Sequence, residues 1–203
     1  MHWVEVDGCQ LPKRHGGHPA LELCNTRASW REPLSRRSEW LPGYDTLAVW
    51  SGYVELLDRD RVAQLRELAT ASPGAAESVL AEVRDLRHAL YPTLLRRDAG
   101  EFHTVARYAE RAARRMRLTQ PAGAPARWRL PDEVELEHPL LAAAHSAAGL
   151  LCSPDRDRVR ACPGDECGWL FLDRRGRRRW CSMEDCGNRS KARTFAERHR
   201  ARH

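Results

Sequence analysis

The 203-residue sequence predicts a mainly α fold of the α+β class: a helical N-terminal domain with a short β element, followed by a small C-terminal module. Three observations carry that expectation. Apolar residues recur at helical spacing through most of residues 45–151. Four of the seven cysteines fall in the last fifth of the chain, at matched spacing. Charge is segregated, with 14 Arg and Lys against 7 Asp and Glu from Arg156 to His203 and a near-neutral remainder. Apolar residues at 42% and charged residues at 31% describe a soluble globular protein, neither disordered nor fibrous.

Residues 1–14 include Glu5, Asp7, Lys13 and Arg14 and have no apolar core, so they do not read as a secretion signal. The longest apolar run, Pro139 to Cys152, is interrupted by His145 and Ser146 and falls short of the roughly 18 residues that a membrane span requires. A cytoplasmic protein without a membrane partner is expected. Gly16 to Thr26 (GGHPALELCNT) places Leu21 and Leu23 at strand spacing, so a short strand is predicted with Cys24 on its other face. Asp45 is placed as the cap of a helix whose inward positions are Leu47, Trp50, Val54 and Leu57. A second helix follows Asp60, with Val62, Leu65 and Leu68 inward. Ser72-Pro73 starts a third, its stripe of Val79, Val83, Leu86 and Leu90 lasting until Pro92 disturbs it. Phe102, Val105, Ala109, Ala112 and Met116 trace a fourth. Residues 120–126 have the composition of a loop, and Trp128 to Leu130 that of a short strand. Leu140, Ala143, Ala144, Ala147 and Leu151 form a nearly apolar helix suited to a central packing position, which Ser153-Pro154-Asp155 ends. The expected domains are therefore 1–155 and 156–203.

Cys162 and Cys167 have four residues between them, Cys181 and Cys186 again four, and thirteen lie between the pairs. Two short loops of this kind, joined by a segment long enough to fold back, supply the four sulfurs that tetrahedral Zn²⁺ takes. Clustered thiols in a reducing compartment point to metal before disulfides, and four in matched loops are poorly explained as buried small hydrophobes. The joining segment is predicted as a hairpin: Trp169 to Leu172, a turn at Asp173 to Gly176, and a return strand at Arg178 to Trp180. Cys186-Gly187-Asn188 then opens the last helix. Knuckle, hairpin and ligand-bearing helix is the order of a treble-clef finger. With four cysteines and no open position, one structural zinc ion is expected and no catalytic one.

Arg174, Arg175, Arg177, Arg178 and Arg179 line the turn and the return strand, and Arg189, Lys191, Arg193, Arg198, Arg200 and Arg202 stud the last helix. On a helical wheel Asn188, Ala192, Phe195 and His199 share the face expected to pack inward. Arg189, Arg193 and Arg200 form one flank and Lys191, Arg198 and Arg202 the other. A one-signed, arginine-dominated surface on a metal-rigidified module favours phosphate, so DNA is the expected partner, with phosphate contacts outnumbering base contacts. No histidine lies between Cys162 and Phe195, so a treble-clef nuclease lacks its base and an enzyme is not expected.

The segment CPGDECGWLFLDRRGRRRWCSMEDCGNRSKAR resembles the CGNR zinc-finger family, named for Cys186-Gly187-Asn188-Arg189. Upstream, LELCNT and the helical segments look like the ABATE domain that precedes this finger in a family of stress-induced transcription regulators. The resemblance implies Cys162, Cys167, Cys181 and Cys186 as zinc ligands and includes Asn188 and Arg189 in the naming motif. Arg174-Arg175 departs from the small hydroxyl residue that often precedes the turn glycine, which adds charge without touching the ligands. The implied function is a zinc-dependent DNA-binding transcriptional regulator whose N-terminal domain senses a small-molecule effector or forms a homodimer. The alternative is an adaptor whose finger binds RNA or an acidic protein. Trp30, Trp40 and Trp50 are candidates for an apolar pocket or for plain core, and the pairs His15–His18 and His138–His145 are read as surface or packing residues.

Overall fold

The computed structural model describes residues 2–33, 35, 38–96 and 99–200, and of residues 96, 199 and 200 the backbone alone. Strands β1 (Trp3–Val6) and β2 (Cys9–Pro12) pair as an antiparallel hairpin. Its turn residues Asp7 and Gly8 have φ of 46° and 80°, the left-handed pair that a two-residue type I′ turn needs.

The segment expected to be a strand is instead a helix, α1 (Pro19–Cys24). His18 is extended at its N-cap and its Nδ1 accepts from the Ala20 amide, while Pro19 takes the first helical position, where its missing N–H costs nothing. Leu21, Glu22, Leu23 and Cys24 are all buried, so the two-residue spacing of the leucines reflected burial on every side and not a pleat.

Helix α2 (Tyr44–Tyr53) is capped by Gly43; Asp45 lies inside the first turn and binds Arg66 of α3 (Arg59–Ala71) through both carboxylate oxygens, at 2.6 and 3.2 Å. Asp58 caps α3 by accepting from the Arg61 amide, one residue pair earlier than the sequence suggested. Val62 and Leu65 of α3 are buried, but Leu68 is 37% exposed. Helix α4 (Pro73–Arg96) passes straight through Pro92. Proline removes one backbone bond there, but Leu90, Pro92 and Leu94 are buried and the Thr93 hydroxyl donates back to Ala89 O at 2.8 Å, so packing holds the turn. Helix α5 (Ala99–Arg115) buries Val105, Tyr108 and Ala112, while Phe102 at its start is 48% exposed.

A second hairpin joins β3 (Arg117–Thr119) to β4 (Arg127–Arg129), with Leu118 opposite Trp128. Helix α6 (His138–Leu151) is the expected central element, packed against α5, α4, α1 and α2. After a 3₁₀ turn (Pro154–Arg158), β5 (Val159–Ala161) pairs with β6 (Leu170–Leu172), and a π-helical turn (Met183–Gly187) leads into α7 (Asn188–Arg200).

One continuous core runs from Leu11 through the helices to Val159, Leu170 and Leu172. The C-terminal module is therefore seated on the helical part by the same apolar burial that holds the helices together. No helix among the described residues is long and apolar enough to cross a membrane.

Candidate metal centre and nucleic-acid interface

The sequence places Cys162 directly after β5 and Cys167 two residues before Trp169 and β6, so the first pair of sulfurs sits in the loop of a β-hairpin. The Cys162 amide donates to Trp169 O at 2.8 Å and the Cys167 amide to Gly164 O at 3.2 Å, closing that loop. A Cβ on Gly164 would lie 3.1 Å from Cys186 Sγ and 3.4 Å from Cys162 Sγ, so glycine leaves the space that the sulfurs occupy. The second pair lies at the π-helical turn: Ser182 caps it by accepting from the Asp185 amide, and Cys186 is carried at its end, immediately before α7.

All four sulfurs lie within 4.8 Å of one another and all four cysteines are buried. Cys167 and Cys181 are 3.7 Å apart and Cys181 and Cys186 3.5 Å. A tetrahedron with Zn–S bonds of about 2.3 Å has sulfurs about 3.8 Å apart, so the cage has zinc dimensions. Hydrogen bonding to Cys167 pushes the Cys162 thiol down, while hydrogen bonding to Cys162 pushes those of Cys167 and Cys181 up. Four thiols this close can neither all keep their protons comfortably nor all ionise without a cation among them; a dication resolves the conflict. The cluster fits one structural zinc ion. Arg189 Nη2 donates to Cys186 Sγ at 3.2 Å, offsetting part of the surplus thiolate charge.

The hairpin expected within the finger is present in a different pairing. β6 pairs with β5 upstream, and residues 178–180 form no strand. The turn at Asp173 to Gly176 does form, with the Asp173 carboxylate accepting from the Arg177 and Arg178 amides. Arg178 folds inward from there. Its guanidinium lies 4.5 Å from the centre of the Phe171 ring and donates to His15 O at 2.6 Å, to Trp180 O at 3.0 Å and to Cys181 O. Those bonds take the place of a strand ladder.

Sequence reasoning missed the residues that seat the finger. Asn25, just past α1, donates to Leu170 O at 2.9 Å and accepts from the Leu170 amide at 2.8 Å, both buried. The Trp30 amide donates to Cys167 O, the Tyr91 hydroxyl to Gly168 O at 2.7 Å, and Trp169 Nε1 to Arg27 O at 2.7 Å. Trp30 stacks on Tyr91 at 3.8 Å, and Gly168, at φ +77°, passes so close that a Cβ would lie 3.0 Å from Trp30 and 3.1 Å from the Tyr91 hydroxyl. Asn25 stands in the LELCNT motif, but nothing in a one-dimensional pattern links position 25 to position 170. Trp50 is fully buried core. His18 caps α1, His15 faces Asp185 beside His2, His138 is buried against Arg61, and His145 lies edge-on to Trp128; neither histidine pair converges.

The basic residues divide into two sets. Arg174 is paired with Asp155 at 2.9 Å, Arg178 is turned inward, Arg189 is on the cage, Arg193 is paired with Asp165 and Glu197, and Asn188 donates to Glu184 O. Arg175, Arg177, Arg179, Lys191 and Arg198 are exposed, Arg179 lying against Trp180. On α7, Arg189 and Arg193 are thus tied to the finger, while Lys191 and Arg198 are presented to solvent. The face expected to pack inward does not: Ala192 is exposed and Phe195 is 72% exposed. The side chains of His199 and Arg200, and all of Arg202, lie outside the described residues.

Comparison with known families gives two matches: ABATE, described as "Putative stress-induced transcription regulator", over residues 17–154, and the CGNR zinc finger over residues 158–203. Curated proteins give no match. The first match covers more than half of the chain, and the second contains all four cysteines of the cage. The chain belongs to the ABATE family and ends in a CGNR zinc finger.

Proposed function

We propose that the protein is a DNA-binding transcription regulator in which the zinc-organised finger and one edge of α7 grip the phosphate backbone while the helical part, residues 1–155, senses a small-molecule effector. Both matched families are of regulator and zinc-finger type. The observation that carries the reading is the set of exposed cations, Arg175, Arg177, Arg179, Lys191 and Arg198, gathered on the turn and outer flank of the finger, where Arg174, Arg178, Arg189 and Arg193 are by contrast bound to carboxylates, carbonyls and sulfur within the protein. Guanidinium and ammonium groups held out on a rigid frame suit phosphate, and contacts of this kind position a protein on the duplex without reading sequence.

Fluorescence anisotropy of a labelled duplex tests this. Replacing the five exposed residues together by Ala is expected to weaken binding at least tenfold while leaving zinc content at one ion per chain. Unchanged affinity in that variant overturns the assignment.

A further inference from the structure

Phe195 is 72% exposed, and no other large apolar side chain among the described residues is as open to solvent. It is also the only large apolar residue in α7. Single exposed apolar residues are common on protein surfaces, so exposure alone assigns nothing and the neighbours decide. Lys191, four residues before Phe195, and Arg198, three after it, adjoin it on the helix surface, and both are exposed. Ala192, three residues before it, is exposed beside it as well.

The far side of the helix is committed to the finger. Arg193 pairs with Asp165 and Glu197 and, at about 100° per residue, lies about 160° around the helix from Phe195. Arg189, about 120° away, donates to Cys186 Sγ. Glu197 is the only carboxylate on α7, and it too lies about 160° from Phe195. Toward solvent α7 therefore turns a strip of Ala192 and Phe195, edged by Lys191 and Arg198 and without a carboxylate.

Charge and width select the occupant. A protein covering Phe195 would have to set acidic groups for Lys191 and Arg198 around an apolar pocket, whereas duplex DNA carries phosphates along both edges of each groove. An α-helix with its side chains is about 10–12 Å across, which the major groove, about 12 Å wide, admits and the minor groove, about 6 Å wide, does not. The apolar group that a base presents in the major groove is the C5 methyl of thymine, and Ala and Phe side chains are suited to contact it. We propose that α7 lies in the major groove with Lys191 and Arg198 on phosphates and Phe195, beside Ala192, on thymine methyl groups, so that the finger favours sequences containing thymine. The proposal deepens the DNA-binding reading above and rests on it: phosphate contacts hold the chain on any duplex, and Phe195 supplies selectivity that they lack.

Fluorescence anisotropy of the zinc-loaded full chain at fixed salt tests this on two labelled duplexes, one of alternating A and T and one of alternating A and U, which differ only in the C5 methyl. Burying one methyl group is worth about fourfold in affinity, so the thymine duplex is expected to bind about fourfold tighter or more. The F195A variant is expected to bind the two duplexes equally, with thermal melting to verify that it folds. The K191A/R198A variant is expected to bind both more weakly by a similar factor and to keep the preference. Duplex binding with equal affinities for the unaltered chain, or a thymine preference that F195A retains, overturns the proposal and leaves the phosphate reading standing. Failure to bind either duplex overturns both.

Discussion

Arg87 lies on α4 with no exposed surface, its guanidinium held by Thr26 Oγ1 at 2.9 Å and by the two oxygens of Glu39 at 2.7 and 2.5 Å. Burial alone would raise the Glu39 carboxyl, but the hydrogen bonds and charge of Arg87 outweigh it and hold the group below its ordinary value of 4.5. Replacing Arg87 by Met leaves the largely buried Glu39 carboxylate only the Leu41 amide at 2.9 Å and the longer contact with Arg84 at 3.6 Å, with an expected cost of about 3 kcal/mol in urea unfolding. For a carboxyl depressed in the folded state, the stabilisation is present above the unfolded value and is lost as pH falls through the folded one. Stability is thus expected to decline below about pH 4.5 on account of Glu39, and E39Q to flatten that part of the profile. Arg177 and Arg178 are neighbours with different work. Arg177→Ala is expected to weaken duplex binding without moving the melting temperature. Arg178→Ala uncovers Phe171 and frees the carbonyls of His15, Trp180 and Cys181, and is expected to lower the melting temperature by several degrees. A composition argument treats the two arginines alike, since only the turn at Asp173 decides which one points inward.

At the scale of elements, the β5–β6 hairpin carries the first two ligands and depends on α1 for its place. Asn25→Ala is expected to destabilise the chain by about 1–3 kcal/mol for each Leu170 backbone group left unpaired, measured by denaturant unfolding, and to expose Trp169 to solvent quenchers. Periodicity made α3, α5 and α6 legible, because each turns one apolar face inward or, for α6, buries most of its surface. It failed at α1, a six-residue helix buried on all sides, where spacing carries no period and only His18-Pro19 signalled a helix start. The β1–β2 hairpin is signalled only by Asp7-Gly8, because its strands are four residues each and their alternation is too short to stand out. For the finger, the strand at 170–172 was legible and its partner was not. Residues 178–180 and 159–161 are both short and basic-apolar, and Arg178 bonding inward settles the choice in favour of β5. The cage needed no such tertiary knowledge, since four cysteines in two equal loops already have the reach that tetrahedral metal requires.

For the whole molecule, the finger shares its core with the helices through Val159, Leu170 and Leu172 and holds a separate small cluster of its four cysteines with Trp169, Phe171 and Trp180. That second cluster is too small to persist without metal. Structural zinc contributes about 10–16 kcal/mol of binding free energy in isolated finger peptides, and here part of it maintains the docking of Cys167 and Gly168 on Trp30 and Tyr91. Chelation is therefore expected to open residues 162–200 to protease first and also to lower the melting temperature of the helical part; a finger that stays protease-resistant after complete zinc removal contradicts the structural role. The central claim is that zinc shapes a surface whose exposed cations grip phosphate. Its most direct test is the slope of log affinity for duplex DNA against log salt, which falls by about 0.9 for each phosphate neutralised. With five exposed cations, the zinc-loaded chain is predicted to give a slope of about −3 to −5, reduced toward zero when those five residues are Ala. A slope near zero for the unaltered, zinc-loaded chain contradicts the account.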